Sequence, residues 1–330
     1  MNTRTTYVFG IIIILMISSI TIVFFNLDPL HSSNKANQID NKNNLYFNST
    51  QAFEYLTDQV NIGYRYPGSP EINLTRAFIV EQLSLWHWKI LFDNFTFLGI
   101  DVSNILAFPE NSTNSTLDST LLFGAHYDTR IKADRDVNSS ARNTPVLGAN
   151  DGASGVAVLL EMARIYRNST NIGLLFIDAE DQGGVIPGWD YLEGTYHFTN
   201  NLDTFFPHGA ESISYFILFD MIGDWNLNIK RELNSDPNLV DQIWASALIL
   251  GYQDSFLNEY GYSMIDDHIP FKHKGIRVVD LIDFDYVDEN GQNLHHTTHD
   301  NLNYVSASSL KIVGRTIEYW LNTQKVYSIS

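Results

Sequence analysis

The sequence predicts an α/β protein: a three-layer α/β/α sandwich with a mixed, largely parallel central sheet, preceded by one N-terminal transmembrane helix. Short, continuous apolar runs at Leu121–Ala125, Ile172–Ile177 and Ser214–Phe219 are typical of strands buried on both faces of a parallel sheet. Val156–Tyr166 has the apolar spacing of a buried helix. Tyr7–Phe25 is uncharged, rich in isoleucine and long enough to span a bilayer.

The N-terminal region is predicted to be an anchor and a tether ahead of the catalytic domain. Phe24–Pro29 is bulky and polar and offers no small-residue cleavage site, which favours an uncleaved anchor over a removed signal peptide. The polar, asparagine-rich stretch that follows is typical of a flexible linker. The expected domains are the anchor in residues 1–25, the linker in residues 26–44 and the catalytic domain in residues 45–330.

The flanks of the apolar span predict its orientation. Arg4 lies before the span and Asp28 after it, which favours a cytoplasmic N-terminus and an extracellular catalytic domain. Asn-X-Ser/Thr triplets agree with this location, although an asparagine-rich chain also produces them by chance. They begin at Asn48, Asn73, Asn94, Asn111, Asn114, Asn138 and Asn168. The formal net charge of -18 argues against nucleic acid or an anionic membrane surface as a partner. The membrane is expected as a partner through the N-terminal helix.

The remaining elements are predicted from apolar periodicity and helix-start signals. In chain order they are the helices Phe53–Val60 and Leu74–Trp86, the strands Lys89–Phe97 and Val102–Phe108, the helix Asn238–Leu250, the strand Val278–Phe284 and the helix Ser306–Leu321. The last helix has Ser306 as a candidate N-cap and an apolar inner face.

Ionisable residues follow the predicted strands. His126 follows the first run, Glu180 and Asp181 come shortly after the second, and Asp220 ends the third. A histidine-rich segment, His295–Asp300, follows the last strand. Because ligands of open α/β sheets bind beyond the carboxyl ends of the strands, these side chains are predicted to converge on one crevice.

The loop Leu147–Gly155 places a single carboxylate, Asp151, among small residues just before a predicted helix. Asp in this position is commonly a plain helix cap. The several glycine and alanine residues around it are instead typical of a backbone that another group approaches closely. Asp151 therefore joins the strand-end residues as a candidate.

These candidates carry nitrogen and oxygen donors suited to zinc, and the chain has no cysteine to supply a thiolate. They are His126, Asp151, Asp181, Asp220 and His296. Five candidates exceed the three that a catalytic zinc needs, so either two ions share a bridging carboxylate or some of the five support the ligands. Glu180 is then free to act as general acid and base. A solvated acid at a strand end explains any one of these residues, but explains the whole set poorly.

The order and spacing of these residues resemble the zinc exopeptidases of metallopeptidase family twenty-eight. The resemblance covers roughly residues 50–325 and rests on Tyr64–Ser69, His126–Asp128, Gly148–Gly155, Asp178–Asp181, Phe219–Gly223 and His296–Asp300. Within that superfamily, the chain is more similar to the glutaminyl-peptide cyclotransferases, especially their bacterial branch. That likeness is carried by Ala125–Arg130, Thr144–Pro145, Ala179–Asp181 and Asp266–Phe271.

The resemblance to the cyclotransferases implies roles for individual residues. Asp151, Asp181 and His296 are expected to bind one zinc ion, and Glu180 is expected to shuttle a proton. The implied catalytic group also contains Asp220, which orients the substrate, and Asp266, which belongs to a supporting hydrogen-bond network. The implied reaction converts the N-terminal glutamine of a peptide or protein to pyroglutamate with loss of ammonia.

Two departures bear on the substrate pocket. His295 stands where animal cyclases carry Trp, and Asp280 stands where they carry His. Trp189 and Trp225 are candidates for lining the pocket, although a buried Trp is more often plain core. Residues 131–144 are expected to form either a rim loop or an insertion.

Other functions remain open at the level of sequence. An aminopeptidase would use the same residues with two zinc ions bridged by Asp151, and would then have His126 and Asp220 as metal ligands. In the cyclase interpretation His126 supports the ligands instead. A non-catalytic binding module of the same fold is the third possibility, which the intact Glu180 and the full ligand set disfavour.

Overall fold

The computed structural model describes residues 44–324, and its centre is a six-stranded sheet. The strands are β1 (Trp88–Phe97), β2 (Ile100–Pro109), β3 (Thr120–His126), β4 (Ile172–Ile177), β5 (Ile213–Asp220), β6 (Ile229–Arg231), β7 (Phe256–Tyr260) and β8 (Arg277–Ile282). All of them except β6 and β7 belong to the sheet, in the order β1-β2-β4-β3-β5-β8. β1 and β2 form an antiparallel hairpin that joins β4 in antiparallel fashion, whereas β4, β3, β5 and β8 run parallel to one another. The predicted mixed, largely parallel sheet is therefore confirmed.

Helices cover both faces of the sheet. They are α1 (Ser49–Ile62), α2 (Pro70–Leu85), α3 (Asn114–Leu117), α4 (Ala153–Ile165), α5 (Glu193–Asn200), α6 (Leu202–Phe205), α7 (Pro237–Leu250), α8 (His268–His273) and α9 (Ala307–Thr323). The five predicted helices are all present. The first two begin earlier than predicted because Asn48 and Ser69 cap them, their side chains accepting hydrogen bonds from backbone N–H groups of the first turn. Ser306 caps α9 as expected.

Two buried clusters show the three layers. Leu121, Phe123 and Ala125 point from β3 into one cluster, which contains α1, α2, α4, α7 and α9. Leu122, between them in sequence, points into the other, which contains residues of α5, α6 and α8. Because successive side chains of a strand face opposite ways, this alternation requires helices on both faces.

The first described residues are held by the last helix. Glu318 of α9 accepts hydrogen bonds from the backbone N–H groups of Tyr46 (2.6 Å) and Phe47 (3.0 Å). The ring of Phe47 packs against Gly314, where an added Cβ would lie 2.2 Å from a ring carbon. The segment before α1 is thus part of the packed domain.

The predicted span, Tyr7–Phe25, and residues 26–43 of the predicted linker lie outside the described residues. Within residues 44–324, none of the helices combines the length and apolarity needed to cross a membrane.

Candidate metal centre and active site

The structure brings the predicted strand-end residues together. His126 and Asp220 are the last residues of β3 and β5, Asp181 lies in the loop after β4, and His296 lies in the loop after β8. Asp151 comes from the loop that leads into α4. All five are buried. The predicted convergence at the carboxyl edge of the sheet is therefore present.

Asp151 lies between two groups of donors. Its Oδ1 is 3.0 Å from Nε2 of His126, which is itself 3.3 Å from Oδ1 of Asp220. Its Oδ2 is 3.6 Å from Nε2 of His296, which is 2.8 Å from Oδ1 of Asp181. One carboxylate thus faces two donor sets, one on each oxygen.

This donor set fits a divalent cation of the zinc type. Oδ2 of Asp151 and Oδ1 of Asp220 are buried and have no hydrogen-bond partner among the described residues. Buried carboxylates are costly unless they are paired or coordinate a metal. Imidazole nitrogens and carboxylate oxygens at this spacing are the usual ligands of zinc.

A glycine lets His126 approach the loop of Asp151. Gly152 adopts φ of +99°, and a Cβ there would lie 2.6 Å from the His126 carbonyl oxygen and 2.8 Å from its ring Cε1. Gly152 is also the N-cap of α4, so Asp151 lies outside the helix and does not cap it. The structure therefore supports the second interpretation of this loop, in which its small residues let another group approach the backbone closely.

The loop is further held by Asp300, which follows the histidine pair. Its carboxylate oxygens accept hydrogen bonds from the backbone N–H groups of Asn150 (2.8 Å) and Asp151 (3.2 Å). Oδ1 of Asp300 also accepts one from the hydroxyl of Tyr286 (3.1 Å). The loops that carry Asp151 and His296 are therefore fixed relative to each other.

Three site positions have a left-handed backbone although they are not glycine. Ala179 (φ 58°) precedes Glu180, Met221 (φ 49°) follows Asp220, and His296 itself has φ 60°. Such conformations cost free energy and persist where the surrounding structure enforces them, commonly at functional sites.

Asp128 and Arg130 support the Glu180–Asp181 pair. Asp128 accepts hydrogen bonds from the backbone N–H groups of Glu180 (3.0 Å) and Asp181 (3.3 Å). Nη1 of Arg130 donates to the carbonyl oxygen of Asp181 (2.7 Å) and lies 3.3 Å from its carboxylate. The two adjacent acids are thus held at the backbone and aimed differently.

Protons in the cluster are distributed unevenly. Burial, together with the charges of Asp181, Asp267 and Asp266, raises the pKa of Glu180 well above its usual value, against the opposing charge of His126. Burial alone would raise the pKa of Asp151, but hydrogen bonding and charge from His126 lower it instead. Glu180 is therefore suited to carry a proton, whereas Asp151 stays ionised.

His295 is oriented by Arg135. Nη1 of Arg135 lies 2.9 Å from Nδ1 of His295, and because arginine only donates, Nδ1 must accept. Burial and the nearby cations hold the pKa of His295 well below its usual value, so the ring is neutral and its single hydrogen is on Nε2. That Nε2 faces Oδ2 of Asp151 at 3.5 Å, which is too far for a hydrogen bond. Together with Asp151 and His296, His295 forms a group whose donor atoms could hold a metal ion, but only in the other tautomer, in which Nε2 carries no hydrogen.

A cavity of about 290 Å³ opens onto the donor set. Its lining comprises Arg135, Asp151, Glu180, Asp181, Tyr191, Asp220, Met264, Ile265, Asp266, Phe284, His295 and His296. Asp266 was expected in a hydrogen-bond network. Its Oδ1 accepts a hydrogen bond from Asp267 N (2.6 Å), and its Oδ2 has no partner among the described residues.

Neither Trp189 nor Trp225 lines the cavity, and for Trp189 the alternative of a core residue is the one found. Trp189 is buried in a separate cluster, with its ring edge against Phe97. Trp225 is about half exposed and lies outside the lining of this cavity. The apolar wall is formed instead by residues that include Tyr191 and Phe284.

Several residues of the site lacked a signal in the sequence. Tyr191 and Ile265 lie in loops without periodicity, and Phe284, which was predicted to end the last strand, lies in the loop just after β8. These side chains meet only once the loops are folded. Arg135 comes from the irregular segment 131–144, and its backbone N–H donates to the carbonyl oxygen of His296 (3.3 Å). That segment therefore forms part of the cavity rim, one of its two expected roles.

Comparison with known proteins agrees with this geometry. Residues 104–321 match the family model described as Peptidase family M28. Bovine glutaminyl-peptide cyclotransferase is 25% identical over 280 residues, which cover 73% of this chain and 76% of the bovine protein.

Solved bacterial structures are similar to the chain over most of its length. Glutaminyl cyclase of Porphyromonas gingivalis is 28% identical with a TM-score of 0.75, and the similarity covers 84% of this chain and 99% of that one. A protein of Bacteroides thetaiotaomicron described as a leucine aminopeptidase precursor is also 28% identical, with a TM-score of 0.73 and coverage of 83% and 97%.

The family match takes in all of the carboxylates and histidines of the cluster, from His126 to His296. The chain therefore belongs to peptidase family M28 and is an enzyme of the zinc exopeptidase superfamily.

Proposed function

We propose that the protein is a zinc-dependent glutaminyl-peptide cyclotransferase, which converts the N-terminal glutamine of peptides or proteins to pyroglutamate and releases ammonia. The observation that carries this proposal is that Asp266 lines the same cavity as Glu180 and Asp220. Cyclisation must hold two nitrogens of one glutamine and move a proton from one to the other. Three carboxyl groups beside the donor set suit that task, whereas metal-assisted hydrolysis needs one base.

Zinc binding is assigned to Asp151, Asp181 and His296, because Nε2 of His296 lies 3.6 Å from Oδ2 of Asp151 and 2.8 Å from Oδ1 of Asp181. When bound, the ion supplies Lewis-acid polarisation of the carbonyl oxygen of the side-chain amide. In this assignment His126 supports Asp151 from the other side through its Nε2.

Glu180 is the proton shuttle in this proposal. It takes a proton from the α-amino nitrogen as that nitrogen forms a bond to the side-chain amide carbon. It then gives the proton to the amide nitrogen, whose bond to the same carbon breaks as ammonia leaves. A carboxyl group with a raised pKa is suited to both steps. Asp220 holds the amino group in place, and Asp266 positions the amide nitrogen.

The cavity fits one side chain with its amino group. Its volume of about 290 Å³ lies near the lower end of small-molecule pockets, which begin at about 300 Å³. Tyr191, Ile265 and Phe284 give it an apolar wall. Since cyclisation consumes no water, an apolar wall beside the donor set suits ring closure.

A dinuclear zinc aminopeptidase is the second candidate. The observation that favours it is the second donor set, in which His126 and Asp220 meet Oδ1 of Asp151. Two ions bridged by Asp151 would activate a water, and Glu180 would remove its proton.

One experiment separates the two functions. The purified protein is assayed for zinc per chain, for ammonia released from a glutamine-leading peptide and for leucine released from a leucine-leading peptide. Ammonia without leucine supports the cyclotransferase. Free leucine without ammonia refutes it and supports the aminopeptidase, all the more if the catalytic donor set holds two ions.

A further inference from the structure

The cavity has a buried interior and an exposed rim of different chemistry. The acids of its interior, which include Asp151 and Asp220, are buried. At the rim, Ile265 is 77% exposed and Tyr191 is 37% exposed, and Arg135 is exposed as well. Because the cavity of about 290 Å³ fits one side chain with its amino group, the next residue of a bound peptide has to lie against this rim.

Arg135 brings a positive charge to the rim. Among the described residues that line the cavity, it is the only lysine or arginine. The adjacent acid, Asp134, is paired elsewhere, since its Oδ1 lies 2.6 Å from Nε of Arg130 and its Oδ2 lies 3.2 Å from Nη2 of Arg130. The rim therefore presents a cation, whereas the interior presents acids.

The guanidinium of Arg135 is oriented but has donors to spare. Its Nη1 lies 2.9 Å from Nδ1 of His295, and this is the one hydrogen bond that its side chain makes within residues 44–324. The N–H groups of its Nε and Nη2 are therefore available to a ligand. Nε and Nη2 form one edge of the guanidinium, and two parallel donors of this kind match the two oxygens of a carboxylate.

The segment that carries Arg135 is fixed to the segment of the histidine pair. The backbone N–H of Arg135 donates to the carbonyl oxygen of His296 (3.3 Å). The carboxylate of the next residue, Asp136, accepts hydrogen bonds from the backbone N–H (3.0 Å) and the hydroxyl (2.6 Å) of Thr298. A side chain held in this way loses little conformational freedom when it binds a ligand, which favours its use in recognition.

We propose that Arg135 selects substrates in which an acidic residue, glutamate or aspartate, directly follows the N-terminal glutamine, a specificity that rests on the proposed cyclotransferase function. The glutamine enters the interior, where its amino group meets the acids. The carboxylate of the second residue accepts hydrogen bonds from the free edge of Arg135. A neutral second residue leaves that edge without a charged partner, and a basic one is repelled by it.

The test is the selectivity of the Zn²⁺-loaded full chain among three C-terminally amidated peptides, Gln-Glu-Ala, Gln-Gln-Ala and Gln-Lys-Ala. Measured by ammonia release, kcat/KM is expected to be about fivefold higher for the Glu peptide than for the Gln peptide, with the Lys peptide lowest. The difference should lie in KM, because the contact is present in the ground state and in the transition state alike. It should shrink as the ionic strength is raised to about 1 M, because salt screens exposed charges.

Variants of Arg135 assign the selectivity to its charge. Arg135→Met is expected to remove the difference between the Glu and Gln peptides, and Arg135→Lys is expected to retain part of it. The measured quantity is the ratio of the two kcat/KM values, because a disturbance of His295 would affect both peptides equally. Arg142→Met is the matched control and should keep the wild-type ratio. Arg142 lies in the same segment and is exposed, but it donates to the Asp136 carbonyl oxygen (2.7 Å) and does not line the cavity.

Equal kcat/KM for the three peptides in wild type would overturn this specificity and leave the cyclotransferase in place. An unchanged ratio in Arg135→Met would overturn it too. If none of the peptides releases ammonia, the proposed function itself fails, and leucine release from the same peptides with leucine in first position then decides the preference. If neither product forms, the calorimetric affinities for the Glu and Gln peptides decide it in the same way.

Discussion

At the scale of single residues, two residues that are adjacent in sequence have different roles in the site. Glu180 and Asp181 are adjacent, yet Asp181 faces His296 whereas Glu180 faces the cavity beside Asp266. The left-handed backbone of Ala179 and the hydrogen bonds to Asp128 fix this divergence. A proton carrier can thereby lie beside a metal ligand without competing for the ion.

Replacing Glu180 by Gln tests the proton shuttle. The amide keeps the size of the side chain but cannot accept the proton, so kcat is expected to fall by about 10²–10⁴-fold. Zinc content, measured by elemental analysis, is expected to stay at the wild-type level, because Glu180 is not among the proposed ligands. Glu193→Gln, on α5, is the control and should retain full kcat. Wild-type turnover in Glu180→Gln would refute the assigned role.

Arg130→Met tests the support of Asp181. The variant loses the donors to the Asp181 carbonyl and carboxylate and to the Gly183 carbonyl (3.0 Å). Partners of this kind typically contribute about 10–100-fold in metal affinity, so zinc is expected to be lost at correspondingly lower chelator concentration. Chelator competition measures this. Arg167→Met, whose guanidinium stacks on Trp86, is the control and should bind zinc as wild type does. Unchanged affinity in Arg130→Met would show that Asp181 needs no such support.

Single residues were predictable where they end an element. His126 and Asp220 each terminate an apolar run, so their shared edge of the sheet followed from topology alone. Arg130 and Arg135 were not assigned roles, because the Asp181 carbonyl and the His295 ring nitrogen that they contact lie in distant loops. No periodicity in sequence reports such contacts.

At the scale of elements, α4 is set unusually close to the sheet. At Gly155, a Cβ would lie 2.2 Å from the carbonyl oxygen of Phe219 and 2.8 Å from Cβ of Ala125. The helix therefore packs against β3 and β5 nearly backbone to backbone. This places the loop of Asp151 directly against the strand ends that carry His126 and Asp220.

Gly155→Ala is expected to destabilise the protein. Alanine gains about 1 kcal/mol of helix propensity, but overpacking costs about 1–3 kcal/mol and here meets a strand carbonyl that cannot rotate away. The free energy of unfolding in urea is expected to fall by about 1–2 kcal/mol, and by more for Gly155→Ser. A variant as stable as wild type would show that α4 can shift outward freely.

A buried pair of acids joins the loop after β5 to the end of β8. Burial raises the pKa of Asp224 to about 6, with a hydrogen bond to Asp283 opposing that rise. Burial and the charge of Asp224 raise the pKa of Asp283 to about 7. The folded state thus keeps protons that the unfolded state releases near pH 4. The stabilisation is complete below about pH 4 and is lost as pH rises through 6 to 7.

Asp224→Asn tests this pH dependence. With one titrating group fewer, the variant should lose less stability than wild type between pH 5 and pH 7.5, by about 1–2 kcal/mol. Urea unfolding at the two pH values measures the difference. Parallel changes in both proteins would contradict the raised pKa of the pair. Asp190→Asn, an exposed acid, serves as the control and should follow wild type.

Long elements were predictable from sequence and short ones were not. The central strands of the sheet were visible as continuous apolar runs, and the five long helices have enough residues for a period of about four to emerge. α3, α6 and α8 are too short to show a period. The predicted last strand also ran too far, since β8 ends at Ile282.

At the scale of the whole molecule, the division into anchor, linker and catalytic domain remains a proposal, as does the extracellular location. The packed domain begins before α1, because Phe47 is buried against α9. Any shortened chain that is to fold should therefore retain Tyr46 and Phe47.

Truncation tests this organisation. A chain from Asn44 onward is expected to stay in the soluble fraction with the kcat/KM of the full chain, whereas the full chain is expected to sediment with membranes. A chain from Asn48 onward loses Phe47 and should be less stable by about 3–5 kcal/mol in urea unfolding. A full chain that remains soluble after sedimentation would contradict the anchor, and equal stability of the two shortened chains would contradict the role of Phe47.

The contacts of α9 with Tyr46 and Phe47 also determine where a mechanical force on the N-terminal segment would reach the domain. If the N-terminal segment is fixed in a membrane, a force on the domain enters at Tyr46 and Phe47. It is resisted by their two hydrogen bonds to Glu318 and by the ring of Phe47 against Gly314. The backbone N–H of Asn48 donates to Glu161 on α4 (2.8 Å), which spreads the load to a second helix. The helices α9 and α4 would thus bear the force first, and the loops that shape the cavity would not.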